Sequence, residues 1–427
     1  MTWKKTKLKD LGWLRSAGVN KLSEVNQKEV RLLNYMDVYR NQKISNKIDF
    51  QIVTAKDYEI NNANLEVGDI LFTPSSEKPT DIGHAGIVIE ELPNTVYSYH
   101  LVRFRPDEPN IFNPHFLAYA LNSFECEKHF ITRATGTTRY TLSKSDFKRL
   151  EFEYPENPAE QTAIATILSK VDEAIAATQN SIKAAEKLKK ALMQNLLTGK
   201  LKPDGSWRSE DEFYEDEKFG KVPKGWEVKK LKDVAVCLDS KRKPIKAEDR
   251  KSIQGVYPYY GAAGIIDYIN DYIFDGRYLL FGEDGENLIS RKVPQAFIVD
   301  GKFWVNNHAH ILKEIENVSD LDFLCFSLES KNYENIVYGS AQPKINKSDL
   351  YKIKVLNPLD LNEQEMIAKK LNDSEGLITQ KQTKIQTLQR LKKSLMQNLL
   401  TGKVRLPKAF IAQFEAVEEI NNTIKTI

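Results

Sequence analysis

LKKALMQNLLTGK at Leu188–Lys200 recurs as LKKSLMQNLLTGK at Leu391–Lys403, and twelve of the thirteen positions are identical. The copies stand 203 residues apart. That offset runs back without gaps through Glu160/Glu363, Gln161/Gln364, Ile164/Ile367, Ala165/Ala368, Leu168/Leu371, Ile175/Ile378 and Ile182/Ile385. It reaches Pro155/Pro358, Gly136/Gly339 and the Lys-Ser-Asp triplets at Lys144–Asp146 and Lys347–Asp349. A second offset, of 223 residues, relates Trp3 and Leu8-Lys9-Asp10 to Trp226 and Leu231-Lys232-Asp233. Chance does not produce this. The chain is an internal duplication in which a variable region and a repeated region alternate, with the first variable region about 20 residues the longer.

The repeated regions have helical periodicity. Ile164, Leu168, Val171, Ile175, Thr178, Ile182, Ala185, Leu192 and Leu196 are spaced by fours and threes, a heptad seam with an expected slip at Lys189, where Leu188 stands in. The second copy runs Ile367, Leu371, Ser374, Ile378, Lys381, Ile385, Leu388, Leu395 and Leu399, and Ser374 and Lys381 weaken it. Each helix is expected to start after a proline, near Pro155 and Pro158 in one copy and Pro358 in the other. Each should end at Thr-Gly-Lys, with Gly199 or Gly402 as a left-handed cap. About 38 residues at 1.5 Å each make a rod of about 57 Å. Two rods with apolar stripes in one chain should pack antiparallel, because a globular region lies between them.

The expected organisation is a first variable domain over 1–154, a helical spacer over 155–200, a linker over 201–225, a second variable domain over 226–357, a second spacer over 358–403 and a tail over 404–427. The fold class is α+β, with two mixed α/β domains, two long antiparallel coiled-coil-like helices and a pseudo-twofold repeat. Strands are expected at Asp69–Phe72, Ala85–Glu90 and Tyr278–Phe281, and short helices at Phe116–Leu121 and Phe323–Leu328. The linker is acidic and turn-rich, and its charges are expected to be solvated.

Composition narrows the class. Cys126, Cys237 and Cys325 are far apart and never form a CxxC pair, which disfavours a disulfide framework or a structural zinc site and fits a reducing cytoplasm. MTWKKTKLKD has no apolar stretch after its lysines, so no signal peptide is expected. No run of about 18 apolar residues occurs, so no membrane span is expected. The formal net charge is +3. This neither supports nor excludes nucleic acid, whose binding needs a local basic face.

Each variable region reaches a Gly/Ser/Thr-rich stretch just before the shared Lys-Ser-Asp: ATGTTRY at Ala134–Tyr140 and YGSAQPK at Tyr338–Lys344. Flexible backbone, small hydroxyls and long donors suit phosphate and base-edge contacts. Candidate binding residues are therefore Thr137, Thr138 and Arg139 in the first region and Ser340, Gln342 and Lys344 in the second. Arg103 and Arg105 of HLVRFRP, Arg133, and Asn306, Asn307, His308 and His310 of VNNHAHIL join them. His308 and His310 alternate on a strand near the carboxylates of GEDGEN, which makes a metal site conceivable; a polar binding face is the preferred reading. No catalytic residue is assigned. A methyltransferase Asp/Asn-Pro-Pro-aromatic motif, a GxxxxGK[ST] phosphate loop, GxSxG and HExxH are all absent.

LMQNLLTGK after a long helix, occurring twice, resembles the repeated regions of the specificity subunits of type I restriction–modification enzymes. PKGWEVKKLKDV at Pro223–Val234 looks like the opening of their second target-recognition domain. YPYYGAAGIIDYINDYIFDGRYLLFGEDG with GKFWVNNHAHIL, and GDILFTPSSEKPTDIGHAGIV at Gly68–Val88, are similar to versions of that domain. The resemblance implies that each domain reads one half of a bipartite, asymmetric site in double-stranded DNA. It implies that the helices set the gap and dock two modification methyltransferase subunits, which restriction/translocase subunits can join. The chain would hold no cofactor; S-adenosylmethionine, ATP and Mg2+ would belong to the partners. Two alternatives stay open: a restriction component with its own activity, and a scaffold that does not bind DNA.

Overall fold

The computed structural model describes residues 2–108, 111–334, 336 and 343–415. The chain divides into two compact units, Met1–Thr178 with Lys384–Ile427, and Gln179–Thr383. These units do not follow the boundaries expected along the sequence. Each takes the start of one long helix and the end of the other. The helices span Pro158–Leu196 and Leu361–Leu399, 39 residues each. Among the described residues no helix is long and apolar enough to cross a membrane.

The first unit contains a five-stranded sheet, in the order Gly12–Arg15, Val102–Pro106, Ile70–Phe72, Ala85–Val88, Lys43–Ile44. A three-stranded sheet is formed by Gln51–Ala55, Lys28–Leu33 and Thr95–Tyr97. The apolar strands expected from composition are there: Ile70–Phe72 and Ala85–Val88 are buried throughout, as strands covered on both faces should be. Phe72, Phe130 and Phe147 pack ring to ring with centroids 5.1–5.8 Å apart. In the second unit one four-stranded sheet runs Ala235–Cys237, Ala309–Glu314, Tyr278–Gly282, Ala296–Val299. The other runs Gly264–Ile269, Gln254–Gly261, Lys302–Val305, Phe274–Asp275. The two expected short helices are Pro114–Ala120 and Leu321–Glu329.

The units differ in their sheets but close in the same way. Trp3–Lys7 pairs antiparallel with Glu151–Pro155, and Trp226–Lys230 with Lys354–Pro358; Trp faces Pro in both registers. Gln161 donates to the Pro155 and Ile111 carbonyls and accepts from the Asn113 N–H. Its repeat partner Gln364 donates to Pro358 and Val318 and accepts from Asp320. Arg405 makes two 2.8 Å bonds to the buried Glu160, which the Trp3 indole also reaches. Arg208 likewise pairs with Glu363, to which the Trp226 indole donates at 3.1 Å. Gly402 and Gly199 take φ of +65° and +68°, as the caps require; a Cβ on Gly402 would meet the Trp3 ring at 3.0 Å, and one on Gly199 would meet Pro223 at 2.3 Å.

Inside each unit the helix segments run antiparallel. In the first, Glu160 meets Arg405 and Asp172 meets Lys392 at 2.6 Å; in the second, Glu363 meets Arg208 and Glu375 meets Lys189. Asp172/Glu375 and Lys189/Lys392 obey the 203 offset, so these bridges are one interaction used twice. Ile164, Leu168, Leu196, Ile367, Leu371 and Leu399 are buried, while Ile175, Ile182, Leu192, Ile378, Ile385 and Leu395 are half-buried. The expected slip at Lys189 does not occur. Lys189 keeps its place in the seam by burying its stem and carrying its ammonium to Glu375, and Leu188 points out, 56% exposed.

The linker keeps its acids largely exposed, as expected, but it is ordered and one of its charges is not solvated. Phe213–Asp216 and Gly220–Pro223 form a hairpin, and the side chain of Arg208 is buried in its pair with Glu363. Its acids Glu210 and Glu212 are bridged by Lys221 and Lys202. In the tail, 408–415 are helical.

Candidate nucleic-acid interface

In the first unit, the turn holding the Thr/Arg loop is built by Gly136, whose φ of +142° brings it so close to the Arg139 carbonyl that a Cβ would lie 2.1 Å from it. Tyr140–Thr141 then pairs with Ser75–Ser76, within the TPSSEKP run. Thr137, Thr138 and Arg139 are exposed at the tip. The Arg139 guanidinium donates to Ser75 Oγ at 3.2 Å and borders a cleft of about 490 Å³ with Lys21, Tyr35, Tyr39, Lys78 and His100. Tyr35 and Tyr39 present stacked rings, and Tyr39 donates to Asp81 at 3.0 Å. Burial, then the neighbouring charges of Lys21 and Arg139, hold His100 below the usual imidazole value, so near neutral pH it offers one donor and one acceptor. Cations for phosphates, hydroxyls and a neutral ring for base edges, and flat aromatic walls lie together here.

Arg103 and Arg105 do not join this cleft. Arg103 is 1% exposed; its guanidinium lies against the Trp13 and Tyr97 rings and donates to Asn64. Arg105 is held bidentate by Asp69 at 2.7 Å and by Glu66. Both guanidiniums are turned into the domain, Arg103 with its Nε buried and unpartnered among the described residues, which corrects their reading as binding residues. Arg133 is exposed but caps the preceding helix through the His129 carbonyl at 3.1 Å.

In the second unit, Asn307 and His308 are exposed, and Lys344 sits beside them on the loop of Glu283 and Asp284. His308 Nδ1 lies 2.7 Å from Asp284, and Lys344 Nζ 3.0 Å from Glu283. Asn306 is buried, and its side chain accepts from the His308 N–H, fixing the turn rather than offering a contact. His310 is corrected as well: it is fully buried, with Nδ1 2.6 Å from Asp239 and Nε2 2.8 Å from the Ile345 carbonyl. Ser340 and Gln342 lie outside the described residues.

Cys237, Asp239 and His310 could bring three ligand atoms within 4.8 Å of one another. Arg242, however, sits 3.1 Å from Asp239 and 2.6 Å from Glu283. Burial pushes the Cys237 thiol up to about 12, which keeps it protonated. Burial works against the Asp239 charge, but His310, Cys237 and the Ile311 N–H together outweigh it and the carboxyl falls below its ordinary value. The cluster is an ion-pair network that anchors the strand pair beneath the exposed loop.

Sequence reasoning missed Lys21, Tyr35, Tyr39, Lys78 and His100. The one local signal was TPSSEKP, a small hydroxyl and lysine run beside a buried strand.

The model of the type I restriction modification DNA specificity domain matches this chain twice, over residues 1–187 and 223–390. A Methanocaldococcus jannaschii protein assigned as a type I restriction enzyme specificity subunit is 27% identical over 360 residues, 82% of each chain. A second specificity subunit from the same organism is 26% identical over 321 residues, 68% of this chain and 70% of its own. The crystal structure of a type I restriction–modification S subunit from M. genitalium superposes with a TM-score of 0.56 at 17% identity, covering 93% of this chain and 96% of the other.

Proposed function

This chain belongs to the DNA specificity family of type I restriction–modification enzymes, and from that premise we propose that it reads a two-part site in double-stranded DNA, one part per unit. The duplication carries the reading: the two units close through the same Trp, Gln and Glu contacts, yet present unlike polar surfaces. In the first unit the reading surface is the cleft of Lys21, Tyr39, His100 and Arg139 with Thr137 and Thr138. In the second it is Asn307, His308 and Lys344. The long helices act as a coiled-coil-like spacer. A rod of about 57 Å spans at most ~17 base pairs at 3.4 Å each. Half-site centres near one turn of DNA, about 10 base pairs, would face both readers alike.

The same helices dock two copies of a modification methyltransferase subunit, which restriction/translocase subunits can join. Support comes from the residues retained between the repeats. Leu188/Leu391, Lys190/Lys393 and Gln194/Gln397 are identical and exposed in both copies, so internal packing does not explain their retention. Equally exposed positions earlier in the helices, such as Ala177/Gln380 and Glu186/Gln389, have diverged. Two faces kept alike point to one partner bound twice. The chemistry then lies in that partner with S-adenosylmethionine, and in the restriction subunit with ATP and Mg2+, with the complex in the cytoplasm.

The test is co-expression with the neighbouring methyltransferase subunit, followed by sequencing of methylated adenines. A bipartite motif that appears only when this chain is present is the expected result. A motif unchanged by its deletion, or one continuous block, refutes the reading. The purified chain, incubated with magnesium or S-adenosylmethionine, should neither cut nor methylate DNA.

A further inference from the structure

The repeated helix ends border two grooves, one in each unit, whose chemistry differs. In the second unit Lys190, Met193, Leu197, Phe219, Lys331 and Leu356 line a cleft of about 390 Å³. Its walls are largely apolar. Among the described residues neither lysine is ion-paired; the Lys331 ammonium has only the Phe219 ring, 5.7 Å away. Burial holds that ammonium below the ordinary lysine value. Ser327 also lines the cleft, and its hydroxyl is buried without a hydrogen-bond partner. A half-buried unpaired ammonium and an orphan hydroxyl within apolar walls, with the exposed Lys190 at the rim, are an incomplete site, because buried polar groups normally find partners.

The first unit has the corresponding groove, lined by Leu400 and Thr401, the repeats of Leu197 and Thr198. Gln161 and Gln364 fix the register of the helices beside them, by binding Asn113 and Asp320. In that register Ser327 corresponds to Ala120, Ser330 to Ser123 and Lys331 to Phe124; the 203 offset makes Leu356 correspond to Glu153. Glu125, Glu151 and Glu153 line this groove. The orphan hydroxyl and the half-buried lysine therefore have no counterpart there; Lys5 and Lys403 also line this groove, but Lys5 is bridged to Glu151 at 3.3 Å and three carboxylates surround them.

We propose that the cleft of the second unit seats a carboxylate side chain, flanked by apolar residues, from the methyltransferase subunit that docks on the repeated helix ends. The first unit sets three carboxylates around its two lysines and so seats that acid less well, and the two copies bind with unequal strength, the second unit filling first. The proposal rests on the docking of that subunit to the helices. A carboxylate rather than a DNA phosphate is favoured because the cleft is walled by Met193, Leu197, Phe219 and Leu356, which suit a side chain and not a hydrated duplex backbone.

The test titrates the co-encoded methyltransferase subunit onto the full chain and follows one-copy and two-copy complexes by native mass spectrometry at two salt concentrations. Binding to the unaltered chain should show two steps, the tighter one weakening more with salt. Lys331→Met, which keeps the stem and removes the charge, should weaken the tighter step by about tenfold or more, as expected for a hydrogen bond to a charged group. It should leave the weaker step unchanged, which also reports that the variant is folded. Phe124→Lys combined with Glu153→Leu should strengthen the weaker step. Two equal steps in the unaltered chain, or a Lys331→Met chain that loses neither or both, overturn the proposal while docking stands. Loss of DNA affinity with docking intact assigns the cleft to phosphate and also overturns it. No binding of the subunit to the unaltered chain removes the docking reading and this proposal together.

Discussion

If the long helices set the gap between the two half-sites, adding residues to both should move that gap by an amount their geometry dictates. The insertions belong where the compact units divide, between Thr178 and Gln179 and between Thr383 and Lys384. Four residues in each helix add about 6 Å of rise and about 40° of net rotation, since each residue contributes 1.5 Å and about 100°. DNA advances 3.4 Å per base pair, so 6 Å corresponds to at most about 1.8 base pairs; with about 10 base pairs per turn, the matching DNA rotation is roughly 65°. The two rotations share a sense and differ by only about 25°, which a gap of several base pairs absorbs as a small twist. The expected result is a gap longer by one or two base pairs with both half-sites unaltered. Seven residues preserve the heptad seam better, but they add about 10.5 Å with a net rotation of about −20°. Three further base pairs turn the DNA by about 105° the other way. The second reader would then face the wrong side of the duplex, and methylation should fall to background at every gap length. Sequencing methylated adenines from cells co-expressing each variant with the methyltransferase subunit gives the gap directly. A four-residue variant that keeps the original gap, or changes the bases read, refutes the spacer argument. So does a seven-residue variant that methylates as efficiently as the four-residue one.

Arg139→Ala should weaken specific DNA binding by about tenfold or more, the scale of one lost base or phosphate contact, without lowering thermal stability. Arg105→Ala should show the opposite pattern, because it leaves Asp69 buried without its bidentate partner; equal effects of the two on DNA affinity would overturn the assignment of Arg139 to the interface and Arg105 to the core. His100 sits below the usual imidazole value of 6.5, so it stays neutral from pH 8 to 7 and gains charge only as pH falls below about 6.5. The His100 contribution to DNA affinity should therefore be absent above pH 7 and appear below that value, so a His100→Gln chain, followed by fluorescence anisotropy, should show a smaller rise than the unaltered chain, whose His308 also stands on a reading surface. A half-chain of residues 1–208 should dimerise, since its Leu188–Lys200 repeats the Leu391–Lys403 that covers Ile164 and Leu168 in the full chain, and its Arg208, though not at the repeat position of Arg405, pairs with the repeated glutamate in the same way; a monomeric, folded half-chain by sedimentation would contradict that mode of closure.

The helices, their caps and the buried strands were legible because each follows from local pattern. A heptad seam needs only spacing, Gly199 and Gly402 need only a position after the last turn, and Ile70–Phe72 needs only a short apolar run. The binding residues were not legible in that way. RFRP alternates on a strand, but its inward turn depends on Trp13, Asn64, Glu66 and Asp69, which lie 34 or more residues earlier in the chain. His310 and His308 are two residues apart and look alike in sequence, yet one is sealed by Asp239 and the Ile345 carbonyl while the other reaches the surface. The cleft beside Arg139 draws on segments near positions 21, 35–39, 75–81 and 100, and no periodicity joins them. Arg208 was hidden by its surroundings: an acidic run reads as solvated until Glu363 is known to lie beside it.

The duplication does for this chain what comparison among relatives does for others, because each repeat is a second experiment on the same fold. Where both copies keep a buried residue, packing is reason enough: Leu196/Leu399 and Gln161/Gln364 each make the same contacts twice. Where the copies keep an exposed residue, the fold supplies no reason, and the constraint has to come from outside the chain. Leu188/Leu391, Lys190/Lys393 and Gln194/Gln397 are in that position. Where the contacts agree but the surfaces do not, as between Lys331 and Phe124, the two units have been free to separate in chemistry without separating in architecture. If the chain reads two unlike half-sites while presenting one kind of partner twice, it needs freedom at its reading surfaces and constraint at the exposed helix residues; Lys331 and Phe124 lie beside that constrained surface, where the proposed difference between the two docked copies would arise. The pattern of identity and divergence along this chain follows that division, which is why the repeat is evidence for function as well as for fold.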